Sequence, residues 1–175
     1  MQDDASDPVN GDWRNVGDWT GDGLEDFVAG APWSSTVGVG HGEIFLFSGS
    51  DVRGEFLRDE AAGSWVGDED EAALGTAIHT PDFDGDDIPD LVPSGAGPYP
   101  TTLTVLRGGD VPALRSALPV ERIMFGWPLA YSIIPGDYDA DGFDDLFHVV
   151  YTDDEPTRIG IVRGFDVPWD DPSYW

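Results

Sequence analysis

Acidic residues recur at alternate positions in three short segments of this sequence, in a pattern that can hold a metal ion. The segments are residues 18–26, 82–90 and 137–145, here called loops one, two and three. Each has an acid at positions one, five and nine, an acid or Thr at position three, and an apolar residue at position seven. Such a loop would surround a hard cation with oxygen atoms. Because Ca²⁺ takes about six to eight oxygen ligands, the pattern predicts calcium binding.

The spacing predicts which residues would be the ligands of three calcium sites. Each site would use the side chains of positions one, three, five and nine and the main-chain carbonyl of position seven. A single loop of this kind would be read as a solvated acidic turn, because Asp and Gly are common in turns. Three loops with the same order of residues favour metal binding. The predicted ligands are Asp18, Thr20, Asp22, Leu24 and Asp26 in site one, Asp82, Asp84, Asp86, Ile88 and Asp90 in site two, and Asp137, Asp139, Asp141, Phe143 and Asp145 in site three.

The loops differ from EF-hands and from magnesium sites. An EF-hand requires a Glu at position twelve, where these loops have Ala29, Pro93 and His148. Mg²⁺ demands a rigid octahedron and keeps several waters, which a loop rich in carboxylates suits poorly. Position six needs a positive φ for a sharp turn, which favours Gly, and Asp87 is a tolerated exception. Because Thr20 is a weaker ligand than Asp, we expect site one to have the lowest affinity.

The composition of the chain excludes several classes of function. Its 175 residues include 35 acids and 8 bases, for a formal net charge of -27. Nucleic acid and anionic membranes would repel such a surface, so we expect neither as a partner. The absence of Cys excludes disulfides, a zinc–thiolate site and a cysteine nucleophile. No apolar run approaches the roughly 18 residues of a membrane-spanning helix, and we expect no signal peptide in this chain.

Two further markers accompany every acidic loop and indicate three internal repeats. A pair that ends in Gly precedes each loop, and the Asp of a Gly-x-Asp-Val sequence follows the first Asp of each loop by 28 to 33 residues. Short apolar runs bounded by Gly, Pro and Asp follow each loop and precede each Gly-x-Asp-Val sequence. Such runs are typical of strands buried on both faces, as in small stacked sheets. The apolar runs are residues 27–28, 44–47, 91–92, 103–106, 146–150 and 159–162.

The markers resemble the FG-GAP repeats of integrin α-chain-type β-propellers, and in particular extracellular bacterial and archaeal members of that family. Phe125 and the following Gly match one half of the repeat's name, and residues 30–32 (Gly-Ala-Pro) match the other. Residues 74–75 and 95–98 are near matches, and the resemblance covers about residues 10–168. It implies an all-β fold of antiparallel four-stranded propeller blades. It also implies that each calcium loop joins the first and second strands of its blade.

This template divides the chain into an N-terminal tail, 1–10, and three repeats. Blade one would span 11–74, blade two 75–125, and blade three 126–175 without a fourth strand. Propellers close with about 4 to 8 blades, so three blades form a partial propeller. We therefore expect bare apolar outer faces on blades one and three. We also expect a protein partner, or further blades, to complete the ring.

The resemblance implies a non-catalytic, calcium-stabilised module that mediates adhesion or protein–protein contact outside the cell. Two alternatives stay open: an accessory or carbohydrate-binding propeller of a secreted hydrolase, and a structural segment of a larger assembly. His41, His79 and His148 lie far apart in sequence, and no nucleophile elbow is present, so we expect no zinc or catalytic site. The 7 Trp residues would offer sugar-stacking surfaces, although Trp more often packs between blades.

Overall fold

The computed structural model of the chain describes residues 9–51, 54, 58–67, 70–95, 101–103, 105–109, 121–125, 133–152 and 155–164. These residues form β-strands and one 3-10 turn, Arg58–Glu60, with no α-helix among them, which confirms the all-β class. Nothing helical in this part of the chain has the length and apolar character needed to cross a membrane. The strands are β1 (Trp13–Gly17), β2 (Asp26–Ala31), β3 (Glu43–Phe47), β4 (Gly63–Val66), β5 (Ala77–His79), β6 (Val92–Ser94), β7 (Thr101–Leu103), β8 (Glu121–Phe125), β9 (Ile133–Gly136), β10 (Asp145–Thr152) and β11 (Glu155–Val162).

The first sheet is a four-stranded antiparallel unit with the strand order β1-β2-β3-β4. Every residue of β3 is buried, and so is every residue of β2 except the half-buried Phe27. This confirms the prediction that the apolar runs 27–28 and 44–47 are strands covered on both faces. The outer strands β1 and β4 carry the exposed positions of the sheet.

The second and third sheets follow the same plan along the chain. In the second, β5 pairs with β6, β7 pairs with β8, and an antiparallel bridge between Leu91 and Leu106 connects the two pairs. In the third, β10 lies between β9 and β11. These successive antiparallel sheets agree with propeller blades. The predicted absence of a fourth strand in blade three depends on residues 165–175, which lie outside the described residues, as do Gly126 and residues 96–98.

The main hydrophobic core lies between the first and second sheets. Ile44 and Leu46 of β3 pack with Ile78 of β5 and with Leu91 and Leu106, and all five are at most 1% exposed. Each such side chain contributes about 1.5–3 kcal/mol when it is fully buried. Because the strands that enter loops one and two contribute to this core, the packing fixes the positions of both loops.

A close approach of main-chain segments explains the glycines of the sequence markers. Gly11 donates its N–H to the Gly30 carbonyl at 2.8 Å, and Asp12 donates to the Gly75 carbonyl at 3.1 Å. A Cβ atom on Gly30 would lie 2.0 Å from the Gly75 carbonyl oxygen, where no side chain fits. Gly75 itself has a φ of 88°, which favours Gly. The paired markers of successive repeats are therefore two sides of one contact between adjacent sheets.

The outer face of the first sheet is not bare, and that prediction is wrong. Phe45 and Phe47 on this face are only 3% and 4% exposed. Val9, Phe27 and Ala61 pack against the cluster that contains them. The rings of Phe27 and Phe47 stack with their centroids 5.1 Å apart. Aromatic stacking and two neighbouring chain segments thus contribute to the cover of this face.

The described part of the outer face of the third sheet exposes apolar side chains, in agreement with the prediction. Ile134 of β9 and Ile161 of β11 both pair with Phe147 of β10, which places the three side chains in one row. Ile134 is 61% exposed and Ile161 is 48% exposed. The ring of Tyr138 packs edge-on against Phe147, with centroids 5.0 Å apart. We call Ile134, Tyr138, Phe147 and Ile161 the third-sheet face.

Candidate metal centre

Each acidic loop connects the first and second strands of its sheet, as the resemblance implied. Loop one joins β1 to β2, loop two joins β5 to β6, and loop three joins β9 to β10. Position six has a positive φ in all three loops, as predicted, and position four shares this feature, which the sequence analysis did not identify. The residues are Gly21, Gly85 and Ala140 at position four and Gly23, Asp87 and Gly142 at position six, with φ between 61° and 97°.

The structure brings the carboxylates of positions one, three and five together in loops two and three. In each loop, one oxygen from each of the three Asp residues lies within 4.8 Å of the others. Loop one has Thr20 at position three, so only Asp18 and Asp22 contribute carboxylates at the corresponding positions. The two triads are Asp82, Asp84 and Asp86 in loop two, and Asp137, Asp139 and Asp141 in loop three.

Main-chain N–H groups hold these carboxylates in place. In loops two and three, the N–H groups of positions five and six donate to the two oxygens of the position-one Asp at 3.0 to 3.1 Å. In loop one, Gly23 donates to Asp18 at 2.9 Å. The position-five Asp accepts the N–H of position seven in every loop, at 2.8 to 3.1 Å. Because a carboxylate oxygen has two lone pairs, these bonds leave acceptor capacity for a further ligand.

The position-nine carboxylates lie outside the triads and clamp each loop to its sheet. Asp26, Asp90 and Asp145 are at most 1% exposed. One oxygen accepts the N–H of position two or three at 2.6 to 3.3 Å. The other accepts the N–H of the Gly that opens the Gly-x-Asp-Val marker, at 2.7 to 3.1 Å. A Cβ atom on that Gly would come within 2.6 Å of the position-eight carbonyl oxygen.

The clamp explains the second sequence marker, which the sequence analysis recognised without assigning it a role. The marker glycines are Gly49, Gly108 and Gly164. They follow the position-nine Asp by 23, 18 and 19 residues, and that recurring offset was the signal that could have linked the two. The predicted ligand role of the position-nine Asp stays a prediction: each of its oxygens accepts a main-chain N–H and keeps a second lone pair.

Burial and neighbouring groups shift the pKa of two loop carboxyls in opposite directions. Burial raises the pKa of Asp90 to about 7, and the charges of Asp84 and Asp86 act in the same direction. In loop one, the Ser48 hydroxyl donates to Asp22 at 2.5 Å and lowers the pKa of that carboxyl. A cation beside either carboxyl would favour its ionised form.

An arginine contacts the triad in loops two and three. Arg107 donates through Nε to Asp84 at 2.9 Å and through Nη2 to Asp86 at 3.2 Å. Arg163 donates through Nη1 to Asp139. Each Arg immediately precedes the marker glycine of its repeat, a position that Ser48 occupies in the first repeat. The sequence analysis did not identify these contacts, because the partners are 21 to 24 residues apart in the chain.

The donor set of the loops fits a hard divalent cation. Each triad gathers three carboxylates whose orientation the main chain already fixes, and carboxylates are the ligands that Ca²⁺ prefers. In loop one, Thr20 Oγ1 is shielded from water and has no hydrogen-bond partner within the described part of the chain. A cation bound there would give this buried oxygen a partner and offset the repulsion between neighbouring carboxylates.

His41 and His79 are not part of the triads, which are the only metal-capable clusters of acids and histidines among the described residues. The His41 ring lies 2.7 Å from the Gly67 carbonyl and 2.8 Å from Asp70, a contact between two loops. Burial lowers the pKa of His79. The side chain of His148 lies outside the described residues. These contacts give His41 a structural role.

Comparison with known proteins supports an integrin-like fold. No family model matches the chain. The chain is similar to integrin alpha-V of chicken (Gallus gallus), with 29% identity over 148 aligned residues, which cover 75% of this chain and 13% of the integrin. The chain therefore spans about one eighth of the length of that relative. The similarity agrees with an integrin-like propeller fold; the bacterial or archaeal type has no support in it and stays a prediction.

Proposed function

We propose that the chain is a calcium-binding, non-catalytic β-propeller module of the FG-GAP type that makes protein–protein contacts in adhesion outside the cell. One Ca²⁺ would bind in each acidic loop, through the fifteen residues that the sequence analysis named. The propeller units would be 11–74, 75–125 and 126–175. The observation that carries the proposal is the pair of Asp triads, which have the same spacing, the same main-chain donors and the same place between two strands.

Calcium suits the loops better than magnesium. A cluster of three carboxylates offers up to six oxygens, and Ca²⁺ accepts about six to eight oxygen ligands in varied geometries. Mg²⁺ would need a near-ideal octahedron and would keep part of its water shell. The bound ion would tie the first and second strands of each sheet together. Its chemical contribution is therefore structural, and the module acts through the surfaces that this frame presents.

We infer that a protein partner would contact the end of β1 that is remote from loop one. A cavity of about 620 Å³ opens there, and Asn10, Trp33 and Thr76 contribute to its lining. Trp33 is 61% exposed, and Val37 and Val39 in the same β2–β3 connection are 65% and 67% exposed. A contiguous apolar patch favours contact with another protein, and these three side chains would contribute to such a patch. The similarity to integrin alpha-V supports an adhesive role and an extracellular location.

The third-sheet face supports the proposal that further blades, or a partner, continue the propeller. In the first sheet, Val28 and Leu46 occupy the row that corresponds to Phe147 and Ile161, and both are 0% exposed because the second sheet covers them. Position two of the acidic loops differs in the same way. Trp19 is 1% exposed and Phe83 is 0% exposed, whereas Tyr138 is 50% exposed. The third sheet therefore presents the face that its neighbours bury against a following blade.

Thermal unfolding in chelator tests the calcium proposal. Ca²⁺ that binds the folded chain alone stabilises it by about 2.7 kcal/mol per site at a hundredfold excess over Kd. We expect a chelator to lower the melting temperature, and Ca²⁺ to restore it better than Mg²⁺. An identical melting curve with and without chelator would contradict the proposal. A glycan array that retained the chain would instead favour the carbohydrate-binding alternative.

A further inference from the structure

Arg107 spans two carboxylates of one triad. Its Nε donates to Asp84 Oδ2 at 2.9 Å and its Nη2 donates to Asp86 Oδ2 at 3.2 Å. The Asp84 side chain is only 5% exposed, while the Arg107 side chain is 44% exposed and reaches the triad from the solvent side. A planar guanidinium that joins two carboxylates through separate N–H groups is a directional contact, unlike a mobile surface ion pair.

The three loops differ together at two places that meet in space. Loops two and three have an acid at position three and an Arg directly before the marker glycine; loop one has Thr20 and Ser48 at these places. Loops two and three contain five acids each and loop one contains four. One contacting Arg in each of loops two and three brings all three loops to the same formal charge of minus four. No arginine among the described residues contacts loop one in this way.

We propose that Arg107 and Arg163 are built-in counter-cations that hold loops two and three together when they are empty and weaken their affinity for Ca²⁺. The inference rests on the proposed calcium function of the loops and adds how the affinity of two sites is set. In the metal-free chain, the guanidinium offsets the repulsion among three carboxylates. When Ca²⁺ enters, the same positive charge repels the ion. Loop one, with fewer acids, has no such contact within the described part of the chain.

Each arginine therefore has two opposed effects: it stabilises the metal-free loop and lowers the affinity of that loop for Ca²⁺. Removal of the Arg charge would loosen the empty loop and strengthen calcium binding in the same loop. Both arginines are substantially exposed, and solvent screening limits the effect, so we expect a gain in affinity of about three- to tenfold. A purely supporting Arg behaves differently: its removal would weaken both the empty loop and its calcium binding.

The test is a calcium titration of the whole chain, followed at single amides by two-dimensional NMR. The Asp87 amide reports on loop two and the Gly142 amide on loop three, since each donates to the position-one Asp. Arg107→Gln should raise the affinity of loop two about three- to tenfold and lower the melting temperature in chelator. Arg163→Gln should do the same for loop three. Arg107→Lys keeps the positive charge, so the calcium affinity of loop two should stay closer to that of the wild type.

Arg14→Gln is the matched control, because it removes the same charge from a side chain of 45% exposure that pairs with Asp12 rather than with a loop. It should leave both titrations unchanged. If Arg107→Gln does not fold, Arg163→Gln decides the matter, since that side chain is 68% exposed. Unchanged or weaker calcium binding in the Gln variants, with normal binding in wild type, would overturn this inference and leave the calcium function standing. Amides that ignore Ca²⁺ in every variant would overturn both.

Discussion

Loop one and loop two share one main-chain frame but fill its centre differently. Both turn through positive φ at positions four and six, and both are closed by a buried position-nine Asp. Loop two gathers three carboxylates and sets Arg107 against two of them. Loop one has two carboxylates, a Thr, and the Ser48 hydroxyl bound to Asp22. Main-chain hydrogen bonds therefore define the loop, and the residue directly before the marker glycine adjusts its charge.

Removal of the position-nine Asp should lower the stability of the chain more than any other change considered, and by a similar amount in the two loops. Asp26→Ala and Asp90→Ala each leave two main-chain N–H groups without their acceptor in a buried place. We expect each to lower the free energy of unfolding by about 2–4 kcal/mol. Chemical denaturation in chelator measures this, with the exposed acid Asp51→Ala as the control. A large loss in one loop and none in the other would show that the frame is not common to both.

The pH dependence of stability should distinguish loop two. The pKa of Asp90 is raised to about 7 in the folded chain by burial, so between pH 4 and 7 the folded state holds a proton that the unfolded state has released. In chelator, this carboxyl therefore contributes stability at low pH that is lost as the pH rises through about 7, by about 1–3 kcal/mol. Asp90→Asn should flatten this part of the pH profile. A profile that keeps its slope in the variant would contradict the assignment.

A carboxylate added to loop one should make it resemble loop two without its arginine. Thr20→Asp would place a third acid beside Asp18 and Asp22. We expect it to cost about 1 kcal/mol in chelator, because no Arg in the described part of the chain offsets the added charge, and to strengthen calcium binding by loop one. Melting curves with chelator and with Ca²⁺ measure the two effects. Thr20→Asn, which adds no charge, is the control. It should cost less stability in chelator and strengthen calcium binding less than Thr20→Asp does.

The hydroxyl that stands in for the arginine should have the smallest effect. Ser48→Ala removes the hydrogen bond to Asp22 and the bonds of the same hydroxyl with Ser50, which together should cost about 0.5–1.5 kcal/mol. Ser64→Ala, at an exposed position of β4, is the control and should be neutral. A loss as large as that of the clamp variants would mean that Ser48 supports the frame rather than the charge of loop one.

The repeat pattern made the main features of the fold predictable from the sequence. The apolar runs predicted a strand after each loop, and the runs 27–28 and 44–47 lie in β2 and β3. The resemblance to the FG-GAP repeat implied that each loop joins the first and second strands of its sheet. The need for a positive φ at position six, including Asp87, also followed from local sterics alone. These features depend on short-range geometry, and for that reason the sequence reveals them.

Contacts between distant segments were not predictable in the same way. Arg107 and Arg163 contact loop carboxylates that lie 21 to 24 residues away in the chain. Nothing in the composition indicated these contacts. The outer face of the first sheet was expected to be bare, yet Phe45 and Phe47 are buried there among aromatic rings and adjacent segments. Burial of this kind depends on which segments come together in the fold, and alternation along a strand does not encode it.

A count of bound calcium ions tests the central claim most directly. Calorimetric titration of the chelator-treated, folded chain with Ca²⁺ should give three ions per chain, with affinities near 10⁻⁴–10⁻³ M, about the range of extracellular calcium modules. Asp86→Ala and Asp141→Ala should each remove one ion and leave the other two. Three bound ions in the wild type and two in each variant are the predicted result. A folded chain that binds no Ca²⁺ at about 10 mM, well above that range, would contradict the account.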